Sequence, residues 1–144
     1  MIQNLSFISI LMEERKYTFK KDERLCSKKL IERLFEGGNK SFPTFPLRVV
    51  YMPLDSNENM ADASILISVP KKRFKHAVKR NFVKRQIREA YRHHKHILID
   101  ALKQRETPMK MVMAFIWLDN KVHNTEEVEI KVKRLLYHIA EDEL

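Results

Sequence analysis

The most informative stretch of this chain is residues 71–96, KKRFKHAVKRNFVKRQIREAYRHHKH. It holds eleven Lys and Arg residues and one acid, Glu89, which gives a net charge of +10. The rest of the chain has seventeen basic and eighteen acidic residues, so the formal net charge of +9 comes from this stretch alone. A charge confined to one segment predicts one positively charged surface, and the most common partner of such a surface is a polyphosphate backbone.

The same stretch predicts a two-faced helix that runs from about residue 76 to residue 102, one face of which can pack on the sheet. At about 100° per residue, one face is mostly apolar. It carries Val83, Ile87, Ala90, His94, Ile97 and Leu98, with Tyr91 at its edge. The opposite arc carries Asn81, Lys84, Arg85, Arg88, Arg92 and Lys95. Solvated helices usually mix charges of both signs, and this one does not, which favours a nucleic-acid partner. An acidic membrane surface, an acidic protein, or no partner at all are the alternatives.

The other elements follow from spacing and from turn residues. Ser27 can cap a helix that ends at Gly37-Gly38, and Thr125 can cap a final amphipathic helix. Three apolar or alternating runs predict strands, at residues 45–52, 63–69 and 110–118. The predicted order is α-β-β-α-β-α, a small α+β sandwich.

Composition limits the class of protein. The 144 residues suggest one domain, which we place at residues 19–144, after an N-terminal extension of residues 1–18 in which Met12 is a candidate start. The single cysteine, Cys26, excludes an internal disulfide and a cysteine zinc site, and it fits a reducing, cytoplasmic setting. The sequence contains no run of 18 apolar residues, so no membrane span is expected.

Three segments together resemble the bacterial ribonuclease P protein family. KRNFVKRQIREAYR, Lys79 to Arg92, resembles the family signature, an Arg-Asn-Arg triplet followed by a basic pair and an I-R-E-A-[FY]-R stretch. ISVPKK, Ile67 to Lys72, resembles its strand and double lysine, and FKKDERLCSKKLIERLFEGG, Phe19 to Gly38, resembles its first helix. The chain departs from the signature at Phe82, which stands where the family has the second arginine. The loop Arg73–His76 is also longer than is usual and has no glycine.

The resemblance implies a fold and a function. It implies a domain like domain 2 of ribosomal protein S5, with a left-handed βαβ crossover. It implies the small protein subunit of a ribonucleoprotein that removes the 5′ leader from precursor tRNA. In such an enzyme the RNA subunit and its bound Mg²⁺ are the catalyst, so no cofactor or metal is expected on the protein. The partners would be the catalytic RNA and precursor tRNA, and the free protein is expected to be a monomer.

Two groups of site residues follow. The loop and helix residues, together with those carried over from the signature, make the predicted RNA-binding set Lys71, Lys72, Arg73, Lys75, Lys79, Arg80, Asn81, Lys84, Arg85, Arg88 and Arg92. Asn81 could instead be a helix-start residue, and Phe82 either packs against something or stacks on RNA. The resemblance also implies a cleft for the 5′ leader, formed by the first helix and the sheet and lined by Ile31, Phe35 and Tyr51. Phe35 could instead be a core residue.

The residues do not indicate catalysis by the chain itself. We find no glycine-rich phosphate loop and no nucleophile motif, so no catalytic residue is assigned. The histidines His93, His94 and His96 are interpreted as phosphate partners rather than as a metal site, because neighbours on a helix point about 100° apart. A stand-alone nucleic-acid-binding module and a hydrolase that uses its own residues remain the alternatives.

Overall fold

The computed structural model of the chain describes residues 17–55, 60–107 and 109–142. A four-stranded sheet has the order β1-β2-β4-β3. The strands are β1 (Lys40–Thr44), β2 (Leu47–Asp55), β3 (Ala63–Ser68) and β4 (Met109–Trp117). The helices are α1 (Lys28–Phe35), α2 (Ala77–His94), α3 (His96–Lys103) and α4 (Thr125–Asp142), and a 3₁₀ turn spans Lys21–Glu23. The mixed α+β class is confirmed, with one strand and one helix more than the sequence predicted.

The caps of the first and last helices explain where these helices begin and end. The Ser27 hydroxyl accepts a hydrogen bond from the Leu30 amide, as predicted for the start of α1. After α1, Gly38 has a φ of 100°, and the Asn39 side-chain Nδ2 donates to the carbonyls of Arg33 and Leu34. The predicted cap of α4 was wrong by one residue, because the Asn124 side chain accepts from the Glu127 amide at 2.8 Å.

The strand that the sequence did not predict is β1, an edge strand that pairs antiparallel with β2. Its sequence, KSFPT, has no alternation of apolar and polar residues and contains Pro43, which an edge strand tolerates. The other three strands lie within two or three residues of their predicted positions. β2 pairs antiparallel with β4, and β3 pairs parallel with β4.

The two faces of the sheet are covered by different helices. Residues Leu47, Val49 and Tyr51 of β2 belong to the main core, which lies between the sheet and the helices α2, α3 and α4. Alternate residues point to the other face. There α1 places Leu34 against a smaller cluster that includes Met52, Val112 and Ala114. The fold therefore has three layers, with α1 on one side of the sheet and the helices α2, α3 and α4 on the other.

The predicted long helix is interrupted at Lys95, so residues 76–102 form two helices rather than one. Lys95 keeps α-helical dihedral angles, and its amide still donates to the Tyr91 carbonyl at 2.8 Å. Neither glycine nor proline marks this break. The helices α2 and α3 connect the parallel neighbours β3 and β4. The left-handed sense of that connection and the likeness to ribosomal protein S5 stay predictions.

Most of the predicted N-terminal extension, residues 1–16, lies outside the described residues. Tyr17 and Thr18 precede the 3₁₀ turn, and their carbonyls accept hydrogen bonds from the Arg92 and Lys95 side chains. Leu25 continues this segment along the edge of the sheet, where its amide donates to the Ile65 carbonyl at 2.8 Å. The segment before α1 therefore joins the sheet to the end of α2.

Candidate nucleic-acid interface

The outward face of α2 carries cations that have no acidic partner among the residues that the structure describes. Val83, Ile87 and Ala90 are buried, as the helical spacing predicted. Arg85 is exposed, and Lys84 and Arg88 are partly exposed. Among residues 17–55, 60–107 and 109–142, no carboxylate lies within 4.0 Å of these three side chains. Their charge is thus available to a partner.

The loop before α2 adds lysines to the same surface. Lys71, Lys72 and Lys75 are exposed, and Phe74 is buried and anchors the loop in the core. Lys79 and Asn81 are exposed on the first turns of α2. Asn81 is the fifth residue of that helix, so its reading as a helix-start residue is wrong. Within the described part of the chain, these lysines also form no ion pair.

Two arginines of the predicted set have structural tasks in the free protein. The Arg80 guanidinium donates to the carbonyls of Phe74 and Lys75, at 2.8 and 2.9 Å, and so fixes the loop to the helix. Arg73 is partly buried and donates to the Asn120 side chain at 3.5 Å. Both side chains keep their positive charge, because their partners are neutral, and these hydrogen bonds hold them in place on the protein.

At its C-terminal end the predicted basic arc is neutralised. Arg92 Nη2 lies 2.6 Å from Glu89 Oε2, and Arg92 also donates to the Tyr17 carbonyl. Lys95 Nζ lies 2.5 Å from Glu23 Oε1, and the two side chains are only 12% and 9% exposed. The expectation that the Lys95 side chain faces a partner is therefore wrong. The Arg92 side chain is partly exposed, but Glu89 already offsets its charge. Within α2, the cations without an acidic partner among the described residues lie between Lys79 and Arg88.

The histidines at the end of α2 have protein partners. His94 Nε2 lies 2.6 Å from Glu129 Oε1 on α4, and His93 Nδ1 lies 2.9 Å from the Glu89 carbonyl. Their predicted role as phosphate partners is not favoured for His94, whose ring nitrogen already faces a carboxylate. In the part of the chain that the structure describes, no three His, Cys, Asp or Glu side chains are grouped as metal ligands.

The structure leaves the two helix residues of the predicted leader cleft accessible but buries its strand residue. Phe35, at the end of α1, is 49% exposed, so it is not a core residue. Ile31 is partly buried one turn earlier. Tyr51 is only 2% exposed and points to the opposite face of the sheet, into the main core. A shift of one residue along a strand reverses the face. The β2 residues on the α1 side are Arg48, Val50 and Met52.

The Tyr51 hydroxyl has a partner at the edge of the core. It donates to Asp142 Oδ2 at 2.8 Å, and Lys40 Nζ lies 3.0 Å from the same oxygen. The hydrogen bonds from Tyr51 and Lys40 lower the pKa of the Asp142 carboxyl below its ordinary value. Tyr51 thus ties β2 to the end of α4 and is not available for stacking on a nucleotide.

Comparison with known proteins identifies the family of this chain. The family model described as ribonuclease P matches residues 19–139, most of the chain. The chain belongs to the ribonuclease P protein family. This confirms the resemblance drawn from the signature in α2 and from the segments before it.

Relatives and solved structures agree with this assignment. The ribonuclease P protein component of Porphyromonas gingivalis strain W83 is 43% identical over 120 residues, which are 83% of this chain and 85% of that protein. The RNase P protein from Thermotoga maritima has the same fold, with a TM-score of 0.62 at 21% identity over 81% of this chain and 96% of that one. The Staphylococcus aureus RNase P protein gives a TM-score of 0.61 at 21% identity, over 81% and 94%.

Membership of the ribonuclease P protein family makes the chain a component of an endoribonuclease complex that contains RNA and processes tRNA. Within the ranges that the structure describes, no helix has the length and hydropathy of a membrane span.

Sequence reasoning missed one part of this surface. A depression of about 260 Å³ lies between β3 and α2 and brings the segment before α1 next to the basic helix. It is lined by Phe19, Arg24, Leu25, Cys26, Ile65, Leu66, Ile67, Lys84 and Arg88. Arg24 was overlooked because acids surround it in KKDERL and leave the segment almost neutral. Its proximity to Lys84 depends on tertiary packing, for which the local sequence gives no signal.

Proposed function

We propose that the chain binds the catalytic RNA of ribonuclease P through the exposed loop before α2 and residues 77–88 of α2. The observation that supports this proposal most directly is that some cations of α2 have an acidic partner in the protein and others do not. Lys84, Arg85 and Arg88 have no acidic partner among the described residues, whereas Arg92 and Lys95 have one each. Unpaired cations on one face suit a surface of phosphates, since each contact releases bound counterions from the RNA.

The second part of the proposal concerns the substrate. The 5′ leader of precursor tRNA would bind on the face of the sheet that α1 covers only in part. Phe35 offers an exposed ring there, and Arg48 on β2 is exposed on the same side of the sheet. Base stacking on an aromatic ring tolerates any sequence, which suits a leader that differs between tRNAs.

Catalysis in this proposal belongs to the RNA subunit, and Mg²⁺ would be held by that RNA. The chain would act by binding and orienting the RNA and the leader, as a monomer in the cytoplasm. The family assignment and the unpaired cations of α2 support this division of tasks.

Reconstitution tests the proposal. The chain, the catalytic RNA of the same host and a precursor tRNA are mixed at low Mg²⁺, and release of the leader is followed on a gel. Leader removal that needs both the chain and the RNA is the expected result. Cleavage by the chain alone would instead establish a hydrolase with its own active residues. Binding without any effect on cleavage would indicate a stand-alone RNA-binding module.

A further inference from the structure

An aromatic ring stands exposed among the cations of α2. Phe82 is 48% exposed, and Val78, one turn earlier on the same side, is 80% exposed. The core side of the helix is already filled by Val83 and Ile87, which are fully buried. Neither Phe82 nor Val78 is therefore needed to close the core.

The surroundings of this ring combine an apolar surface with positive charge. A depression of about 540 Å³ is lined by Val78, Asn81, Phe82, Lys84, Arg85 and Arg88. Its volume lies within the range of small-molecule sites, roughly 300–1,000 Å³. Three of its six residues are the unpaired cations described above, and Asn81 adds a side chain that can donate and accept hydrogen bonds.

Charge complementarity selects the occupant. An apolar peptide or a second copy of this basic helix would have to approach Lys84, Arg85 and Arg88 without compensation. An RNA strand carries phosphates for the cations and flat aromatic bases for the ring. Side chains that stack on unpaired bases are a common means of RNA recognition.

We propose that Phe82 is the stacking platform for one unpaired base of the catalytic RNA, whose flanking phosphates lie on Lys84, Arg85 and Arg88. This inference rests on the proposed function and specifies it. The family signature has an arginine at this position, which would add a charge. This chain offers a neutral ring instead, so the contact adds affinity without adding salt dependence.

The test compares equilibrium binding of the catalytic RNA by Phe82→Ala, Phe82→Leu and Phe82→Trp at several salt concentrations. We expect Phe82→Ala to bind roughly 5- to 150-fold more weakly, as for the loss of one base stack. Phe82→Trp should keep wild-type affinity, and Phe82→Leu, which is apolar without a flat ring, should not. The slope of log K against log salt should stay unchanged in all three, because no charge is removed.

A spectroscopic reading accompanies the binding curves. The natural Trp117 is fully buried, so the indole introduced by Phe82→Trp should dominate any fluorescence change on RNA addition. Quenching is expected if a base stacks on it. An unchanged spectrum at saturating RNA would overturn the stacking assignment.

Two controls keep this inference separate from the proposed function. Tyr137→Ala removes an aromatic ring of similar exposure, 51%, from α4, and should bind RNA like the wild type. Arg88→Ala tests the basic surface itself. If Arg88→Ala weakens binding and Phe82→Ala does not, the stacking role is wrong and the RNA-binding surface stands. If neither changes binding, the RNA-binding surface itself is wrong and the stacking inference falls with it.

Discussion

Arginines one turn apart on α2 differ in what they can offer a partner. Arg88 has no acidic partner among the described residues, while Arg92 Nη2 lies 2.6 Å from Glu89. A guanidinium that already holds a carboxylate has to give up that pair before it can bind a phosphate. How much each arginine contributes to RNA affinity therefore depends on its contacts in the free protein rather than on its position in the family signature.

We expect Arg88→Ala to weaken binding of the catalytic RNA and to reduce the slope of log K against log salt by about 0.7–0.9, the share of one phosphate contact. Arg92→Ala should change that slope much less, because Glu89 already offsets its charge. Binding titrations at four salt concentrations measure both effects. The matched control is Arg134→Ala, an exposed arginine of α4, which should leave the slope unchanged. Equal slopes for Arg88→Ala and the wild type would remove Arg88 from the phosphate-binding surface.

The exposed ring of Phe35 should affect the binding of precursor tRNA but not of mature tRNA. We expect Phe35→Ala to weaken binding of precursor tRNA to the assembled enzyme by about 1–3 kcal/mol, the usual worth of one stacked base, and to leave mature tRNA binding unchanged. Affinity measurements with both tRNAs separate the two cases. Phe45→Ala, in the turn between β1 and β2, removes a similarly exposed ring as a control. An equal loss for both tRNAs would show that Phe35 acts on the fold and not on the leader.

Single residues also mark where sequence reasoning stops. The helical spacing of α2 correctly separated Val83 and Ile87 from Arg85, because the period of a helix is a local property. Tyr51 was placed in the leader cleft by the family resemblance. The alternation in FPLRVVYM could not correct this, because it does not say which of the two faces the larger core covers. That choice depends on three helices elsewhere in the chain.

At the scale of helices and strands, contacts between residues far apart in the sequence form elements and breaks that the local sequence does not predict. The break between α2 and α3 falls at Lys95, whose ammonium binds Glu23 and the Thr18 carbonyl more than seventy residues earlier in the sequence. The sequence near Lys95 shows only a continuing basic helix. The edge strand β1 was not predicted for a similar reason. It has a weak strand pattern, and it forms because it pairs with β2.

Removing one partner of the Glu23–Lys95 pair should be costly, since both side chains are nearly buried. Glu23→Gln leaves a buried ammonium without its carboxylate, and we expect a loss of about 3–5 kcal/mol in the free energy of unfolding. Urea denaturation measures it. The double variant Glu23→Leu/Lys95→Met should recover most of this loss, because apolar groups can replace a buried ion pair. A Glu23→Gln variant as stable as the wild type would contradict the pairing.

The connection between β4 and α4 should make stability depend on pH. His123 Nε2 lies 2.6 Å from Asp119 and Nδ1 lies 3.1 Å from Glu127, so the doubly protonated ring satisfies both carboxylates. Burial acts against the charged ring, but the hydrogen bonds to Asp119 and Glu127 outweigh it, and the net pKa of His123 is raised. The hydrogen bond from His123 in turn lowers the pKa of Asp119.

Because the folded pKa of His123 is raised, its stabilising effect is fully present below the unfolded value of about 6.5 and is lost as the pH rises through the folded value. The free energy of unfolding lost in His123→Gln should therefore be larger near pH 5.5 than near pH 9, where less of the folded ring is charged. Chemical denaturation at the two pH values measures it. His76→Gln, at an exposed histidine without a side-chain cap bond, should show no such difference. A loss that does not change with pH would contradict the charged state of His123.

At the scale of the whole molecule, the balance of free and engaged cations sets the salt dependence of RNA binding. Of the ten cations in the predicted RNA-binding set, Arg73, Arg80 and Arg92 already have partners, which leaves seven. Arg73 and Arg80 keep their charge, but their N–H groups are held by protein groups. If these two arginines and Arg92 make no phosphate contact, the slope of log K against log salt should be no steeper than about −6, whereas ten phosphate contacts would give about −9. Titration of the catalytic RNA from low to high salt decides between them. A slope near −9 would mean that the arginines leave their protein partners on binding.

The position of Cys26 has a practical consequence. This residue is exposed beside Lys84 and Arg88 in the depression between β3 and α2, and the chain has no other cysteine. A photoactivatable reagent can therefore be attached to one known atom without any mutation. Irradiation of the assembled particle would attach it to the nucleotides next to this rim, and sequencing the adducts would orient the protein on its RNA.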